Sequence, residues 1–134
     1  MRQQFTDIFY YSEDEIGPRK RKRLKEFLEH LAVERNLGNR NVNVIFRDVS
    51  KIVYRDEDGT RRSVKGAMGY MGKEFAIEFA ARQPLRILMI IAAHEWRHAE
   101  QRAGLTDMVE GVNSREELEI DADSVVAEWT EGWI

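Results

Sequence analysis

The stretch "QPLRILMIIAAHEWRHAEQRAG", residues 83–104, decides the fold and carries two of the three histidines of the chain. Pro84 suits the start of a helix and Gly104 suits its end, with good helix formers between them. Apolar side chains lie on both sides of the helical wheel, so the helix has to run through the interior. We therefore predict a buried helix around which the rest of the chain packs.

The flanking sequence indicates one small α+β domain over residues 1–134. Residues 17–38 have the apolar spacing of an N-terminal helix, and residues 41–80 hold short runs typical of strands. Residues 113–134 form another helical segment. We expect an N-terminal helix, a small, mainly antiparallel sheet of three to four strands, the central helix and a C-terminal helix.

The composition of the chain excludes cysteine-based sites and a membrane-spanning helix. The chain is 43% hydrophobic and 34% charged, carries a net charge of −3 and has no cysteine. Disulfides, thiolate zinc ribbons and thiol nucleophiles are therefore excluded. The longest apolar run, "ILMIIAA", is far shorter than the roughly 20 residues that a membrane helix needs. Without a signal-peptide pattern, the expectation is a soluble cytoplasmic protein with no membrane partner.

One basic run, Arg19–Lys25, departs from this acidic background. It could bind nucleic acid or an acidic partner, because clustered cations attract both. A solvated helix end is the favoured interpretation, so a nucleic-acid partner is not expected.

The pattern "HEWRH" at residues 94–98 is the H-E-x-x-H arrangement of zinc hydrolases. On a helix, His94 and His98 lie one turn and about 40° apart, so both imidazoles can bind one metal ion. Glu95 is rotated away, where it can act as general base towards a water molecule. The alternative is a polar turn on an ordinary helix, since this pattern also arises by chance.

A catalytic zinc ion needs a third protein ligand. His30 lies on the polar flank of the N-terminal helix and is expected to be solvated. The final helix offers Glu119 at the edge of its apolar stripe, and Asp123 one turn on can bind the ring nitrogen of a ligating histidine. The other acidic residues of this helix, Asp121 among them, are expected to point into solvent.

"HEWRH" followed after residues 99–118 by "EIDAD" resembles the gluzincin branch of the zincin metallopeptidases, in particular the compact soluble minigluzincins. This resemblance implies that His94, His98 and Glu119 bind Zn²⁺, that Glu95 is the general base and that Asp123 supports a ligand. Asp121 stands where many relatives have glutamate or glutamine.

The likeness covers roughly residues 64–130, because "GAMGYMGKEFAIEF" is similar to the strands that precede the active helix of the family. In zincins the outer strand lines the cleft and pairs with an extended substrate. Tyr70 on this strand is a candidate oxyanion stabiliser, although packing on the sheet is its more common role.

The resulting hypothesis is a zinc metalloendopeptidase that acts on a peptide or protein substrate. The alternative is a catalytically silent zinc-binding or zincin-like interaction module. DNA-associated proteases are disfavoured, because they complete the site with histidine and often carry a cysteine ribbon. The two ends of the chain, residues 5–11 and 130–134, could fold over the cleft and keep the enzyme latent.

Overall fold

The computed structural model describes residues 6–71 and 74–134. The strands are β1 Asp7–Tyr11, β2 Asn41–Arg47, β3 Ile52–Arg55, β4 Arg61–Val64, β5 Gly66–Met71 and β6 Glu74–Ala80. The helices are α1 Pro18–Glu34, α2 Leu85–Arg102, α3 Arg115–Ser124 and α4 Val126–Thr130, with a short 3₁₀ turn at Glu13–Glu15.

The main sheet has four strands in the order β1-β2-β6-β5, and β3 and β4 form a separate antiparallel hairpin. The pairs β1–β2 and β2–β6 are parallel, whereas β5 is antiparallel to β6. The expected α+β class is present, but the prediction of a mainly antiparallel sheet is wrong. Strand β1 was not predicted, and α1 is the crossover that makes β1 and β2 parallel.

Within residues 6–71 and 74–134, one face of the sheet is buried against the helices and the other is more exposed. Along β2 the inward side chains Val42, Val44 and Phe46 are buried, and the residues between them are partly exposed. This alternation is typical of an antiparallel strand with one solvent-exposed face, whereas parallel strands are usually buried on both faces. The alternation in the sequence therefore indicated the wrong direction for β2 and β6, which are parallel and yet buried on one face.

Helix α2 runs through the interior, as its apolar wheel predicts. It contacts α1, β5, β6, α3 and α4, and Trp96 at its centre is completely buried. Strand β5 approaches it closely, because a Cβ atom added at Gly66 would overlap Ile91 Cγ2. After α2 ends, Gly104 adopts a φ of +71°, which lets the chain turn away. The helix thus presents its histidines beside an edge strand of the sheet.

The C-terminal segment forms two helices where one was predicted. Ser114 caps α3 by accepting from the Glu117 backbone N–H at 3.2 Å, and Glu117 Oε1 accepts from the Ser114 backbone N–H at 3.0 Å. The helix ends at Ser124, whose hydroxyl bonds back to the Asp121 carbonyl at 2.6 Å, and α4 begins at Val126. The capping box fixes the start of the helix that carries Glu119.

Several cations of the basic segment bind the body of the protein instead of facing solvent alone. Lys20 donates to the Ala81 and Gln83 carbonyls at 2.9 and 3.1 Å. Lys25 pairs with Glu13 at 2.7 Å, and Arg19 is exposed. The solvated interpretation is therefore incomplete, because part of the segment fastens α1 to neighbouring elements.

The described ends of the chain lie away from the cleft of the predicted site. Trp133 packs edge-on against Phe27 of α1, with ring centroids 5.2 Å apart. His30 is exposed, as expected, and its ring lies 5.1 Å from that of Trp133. Strand β1 forms the sheet edge opposite β5. Neither end lines the cleft within the described residues, so the suggested latent cover is not present there.

In the same part of the chain, no helix has the length and apolarity to cross a bilayer.

Candidate metal centre

Three side chains meet at the floor of a cleft between α2 and α3. His94 Nε2 lies 3.0 Å from His98 Nε2, and each approaches one oxygen of Glu119, at 3.2 and 3.1 Å. The three side chains thus form a triangle whose Glu119 corner consists of both carboxylate oxygens, Oε2 facing His94 and Oε1 facing His98. The histidine side chains are 20% and 16% exposed and that of Glu119 is 48% exposed. The triangle therefore stays accessible from the cleft on one side.

The outer nitrogens of both histidines have fixed partners. Asp123 Oδ1 lies 2.9 Å from His94 Nδ1, and a carboxylate there can only accept. Gln101 Oε1 lies 2.8 Å from His98 Nδ1. The Gln101 amide nitrogen donates to the Leu118 carbonyl and to Asp121, at 2.9 and 2.8 Å, which fixes the amide orientation. Both Nδ1 atoms therefore carry a ring proton.

When each ring is neutral, its Nε2 has a free lone pair, and the Glu119 carboxylate is an acceptor only. Three acceptors then face one another, and a metal ion between them would satisfy all three. Ligand atoms about 2.0–2.1 Å from a tetrahedral zinc ion are about 3.3 Å apart, close to the edges of this triangle. Two imidazoles, one carboxylate and an open side are also the donor set of a catalytic zinc site. The residues therefore fit a zinc ion.

Glu95 lines the same cleft but is not part of the triangle. The cleft has a volume of about 1160 Å³ and is walled by the β3–β4 hairpin, Gly66, the 110–113 loop and α3. Burial, and next to it the negative charge of Glu119, raises the pKa of the Glu95 carboxyl to about 8. A carboxyl group that titrates near neutral pH can take up and release a proton under physiological conditions.

A buried polar network behind the triangle was missed in the sequence. Gln101 is 1% exposed and joins His98 to α3 through its bonds to Leu118 and Asp121. Asp121, predicted to be solvated, is only 14% exposed in its side chain and accepts two bonds from Arg97, at 2.7 and 3.1 Å. Arg97 holds the pKa of Asp121 below its usual range, although burial opposes this effect.

A signal for this network was present in the sequence. Gln101 follows His98 by three residues, so it lies on the same side of the helix one turn later. Asp121 precedes Asp123 by two residues and contacts Arg97 and Gln101 of α2, whereas Asp123 contacts His94. Sequence spacing could place each residue on its own helix, but it could not pair Asp121 with Arg97 across two helices.

Tyr70 remains a prediction, because its side chain lies outside the described residues. Gly72, whose position between β5 and β6 suits a turn, also lies outside them.

Comparison with known proteins adds no relative. The chain has no match among protein-family models, among curated proteins or among solved structures. The likeness to gluzincins therefore remains a prediction from the motifs at 94–98 and 119–123 and from the strand pattern before them, and the function has to be argued from the geometry of the side chains.

Proposed function

We propose that the protein is a zinc-dependent metallopeptidase that hydrolyses peptide bonds, with His94, His98 and Glu119 as zinc ligands and Glu95 as general base. The observation that carries this proposal is the triangle of lone pairs, 3.0–3.2 Å on its edges, with both histidine tautomers fixed by Asp123 and Gln101. The adjoining cleft and the buried carboxyl group of Glu95 support hydrolysis over a purely structural metal site.

Zinc bound here supplies a Lewis acid that polarises a carbonyl group and makes a water molecule more acidic. Glu95 accepts the proton of the attacking water and then delivers it to the leaving amine. The positive charge of the ion favours the ionised form of Glu95, which counters the effect of burial on its pKa. Asp123 and Gln101 hold the two imidazoles in place throughout, because each accepts a hydrogen bond from Nδ1.

Strand β5 offers a place for an extended peptide. Within the described residues it pairs with β6 alone, so its other edge keeps free backbone donors and acceptors. Gly66 of this strand lines the cleft together with His94 and Glu95. A peptide added along this edge would run past the triangle by strand addition.

The test begins with metal analysis of the purified protein, where one equivalent of zinc is expected, falling well below one in a His94→Ala, His98→Ala double variant. Proteolysis is then measured on a pool of synthetic peptides by mass spectrometry, comparing wild type with Glu95→Gln. We expect cleavage by wild type and a loss of at least about a hundredfold in the variant, in line with the contribution of a general base. Glu128→Gln is the matched control, because Glu128 is an exposed acid of α4.

The outcomes separate the two functions that the sequence left open. Cleavage that survives in Glu95→Gln refutes the assigned base. Bound zinc without any cleavage by wild type refutes the peptidase and favours an interaction module. Absence of zinc from both proteins refutes the ligand set.

A further inference from the structure

A second cavity adjoins the metal cleft. Its volume is about 540 Å³, and it shares Tyr54, Val64 and Arg115 with the cleft. Its lining residues are Tyr54, Arg61, Arg62, Ser63, Val64 and Arg115. Arginines make up half of this lining and none of the residues is acidic, although the chain as a whole has a net charge of −3. The cavity is therefore locally cationic.

Arg115 connects this cavity to the metal site. It is the first residue of α3 and precedes Glu119 by four residues, which places both on one face, about 6 Å apart along the helix axis. The Glu119 carboxylate is turned towards His94 and His98, and so does not neutralise Arg115. No hydrogen bond or ion pair of the Arg115 side chain is formed within residues 6–71 and 74–134. Its guanidinium is thus available to a ligand.

The hairpin supplies the opposite wall. Ile52 is buried and pairs with Val64, so this face of the hairpin turns towards the protein. Tyr54 and Arg62, the next pair on the same face, turn the same way. Asp56 forms an ion pair with Arg62, which holds that guanidinium in position. The wall thus combines a phenol and an oriented guanidinium opposite α3.

Local stability does not account for Arg115. A cation in the first turn of a helix opposes the helix dipole, and the capping box already satisfies the start of α3. The helix itself therefore gives no reason for a cation at this position.

We propose that this cavity is a subsite for an acidic side chain of the peptide substrate, bound by Arg115 and favoured by the charge of Arg61. This inference rests on the proposed function. A guanidinium binds a carboxylate through two parallel hydrogen bonds, which gives both affinity and orientation. The 6 Å offset corresponds to about two residues of extended chain, so the acidic residue lies within about two positions of the scissile bond.

Cleavage sites in a pool of random-sequence peptides, blocked at both ends, test the preference. With wild type we expect aspartate or glutamate within two residues of the cut, favoured at least about tenfold over their amides in kcat/KM. Arg115→Glu should lose this preference and gain one for lysine or arginine. Arg19→Gln, an exposed cation outside both cavities, should behave like wild type. A second pool with free C-termini distinguishes an acidic side chain from a terminal carboxylate as the ligand.

Binding separates this inference from the proposed function. Zinc-loaded Glu95→Gln, labelled and mixed with the same pool, should enrich acidic peptides, and Glu95→Gln, Arg115→Glu should not. Cleavage without an acidic preference overturns the subsite and leaves the peptidase standing. Enrichment of acidic peptides without cleavage by wild type supports the subsite and overturns the peptidase. If neither cleavage preference nor enrichment is seen, the subsite is refuted. Melting temperatures of the metal-free variants show that each is folded.

Discussion

Gln101→Met tests whether the buried network positions the proposed metal ligands. Methionine has nearly the volume of glutamine and keeps the helix, but it neither accepts from His98 Nδ1 nor donates to the Leu118 carbonyl and Asp121. With the acceptor gone, His98 can place its ring proton on Nε2, the atom that faces Glu119. A proton there competes with the metal ion for the same lone pair.

The size of the effect follows from the contacts that are lost. Removal of the partner that orients a ligating histidine costs about ten- to a hundredfold in metal affinity, or about 1.4 to 2.7 kcal/mol. The metal-free protein should also lose about 1–3 kcal/mol of stability, because the His98 N–H and the Leu118 carbonyl lose a buried partner. Asp121 keeps its two hydrogen bonds from Arg97, so the loss of its bond from Gln101 should reduce stability only slightly.

The assay is competition for zinc with a coloured chelator, beside NMR of the ring nitrogens in the metal-free protein. We expect Nδ1–H for His98 in wild type and a mixture of tautomers in Gln101→Met. Gln83→Met is the matched control, because Gln83 bonds the Ser50 carbonyl outside the site. A folded Gln101→Met protein that binds zinc within threefold of the control and keeps a single Nδ1–H tautomer would refute the positioning role.

The remaining predictions concern stability and are read from chemical denaturation of the metal-free protein. Gly66→Ala should lower the free energy of unfolding by about 1–3 kcal/mol, because the added Cβ overlaps Ile91 Cγ2. Adding Ile91→Ala to this variant should recover part of the lost stability. If the losses of the two single variants simply add, the overlap is contradicted. Lys20→Met should lower the free energy of unfolding by about 1 kcal/mol, because two loop carbonyls lose a charged donor. An unchanged midpoint of denaturation would show that water replaces the lysine. The arginine of α2 that pairs with Glu110 lowers the pKa of this carboxyl. Ionised Glu110 therefore stabilises the folded protein at pH values above the pKa that Glu110 has in the unfolded chain. This contribution is lost as the pH falls through the lowered pKa of the folded state. Glu110→Gln should therefore be less stable at pH 7 by under about 1 kcal/mol, since the carboxylate is 42% exposed, and should match wild type in acid; a difference independent of pH would contradict this.

Much of the site could be predicted because it depends on local spacing. His94 and His98 are one helical turn apart in any α-helix, and Glu119 and Asp123 likewise, so the sequence alone places each pair on one face. What joins the pairs is a contact between helices. Gln101 is an ordinary polar helix residue by its type, and its role appears only when Leu118 and Asp121 lie beside it.

The order of the strands could not be predicted for a related reason. Strand direction depends on which segments cross over, and the aromatic and acidic residues 7–11 have no clear period that would reveal β1. Without β1, helix α1 has no preceding strand and its role as a crossover is hidden. The alternation of apolar and polar residues in β2 indicates only that one face of the strand is buried. Antiparallel sheets commonly have this property, and the present sheet has it too.

The candidate site is organised by hydrogen bonds that do not involve a metal. Gln101 and the Arg97–Asp121 pair join α2 to α3, so the proposed ligands are brought together by the fold itself. When both imidazoles are neutral, three acceptors 3.0–3.2 Å apart repel one another in the metal-free protein. Binding of a cation removes this repulsion, and a ligand at a hundred times its dissociation constant stabilises the folded state by about 2.7 kcal/mol. Zinc should therefore raise the stability of a domain that is already folded, in contrast to small zinc modules that fold only with their metal.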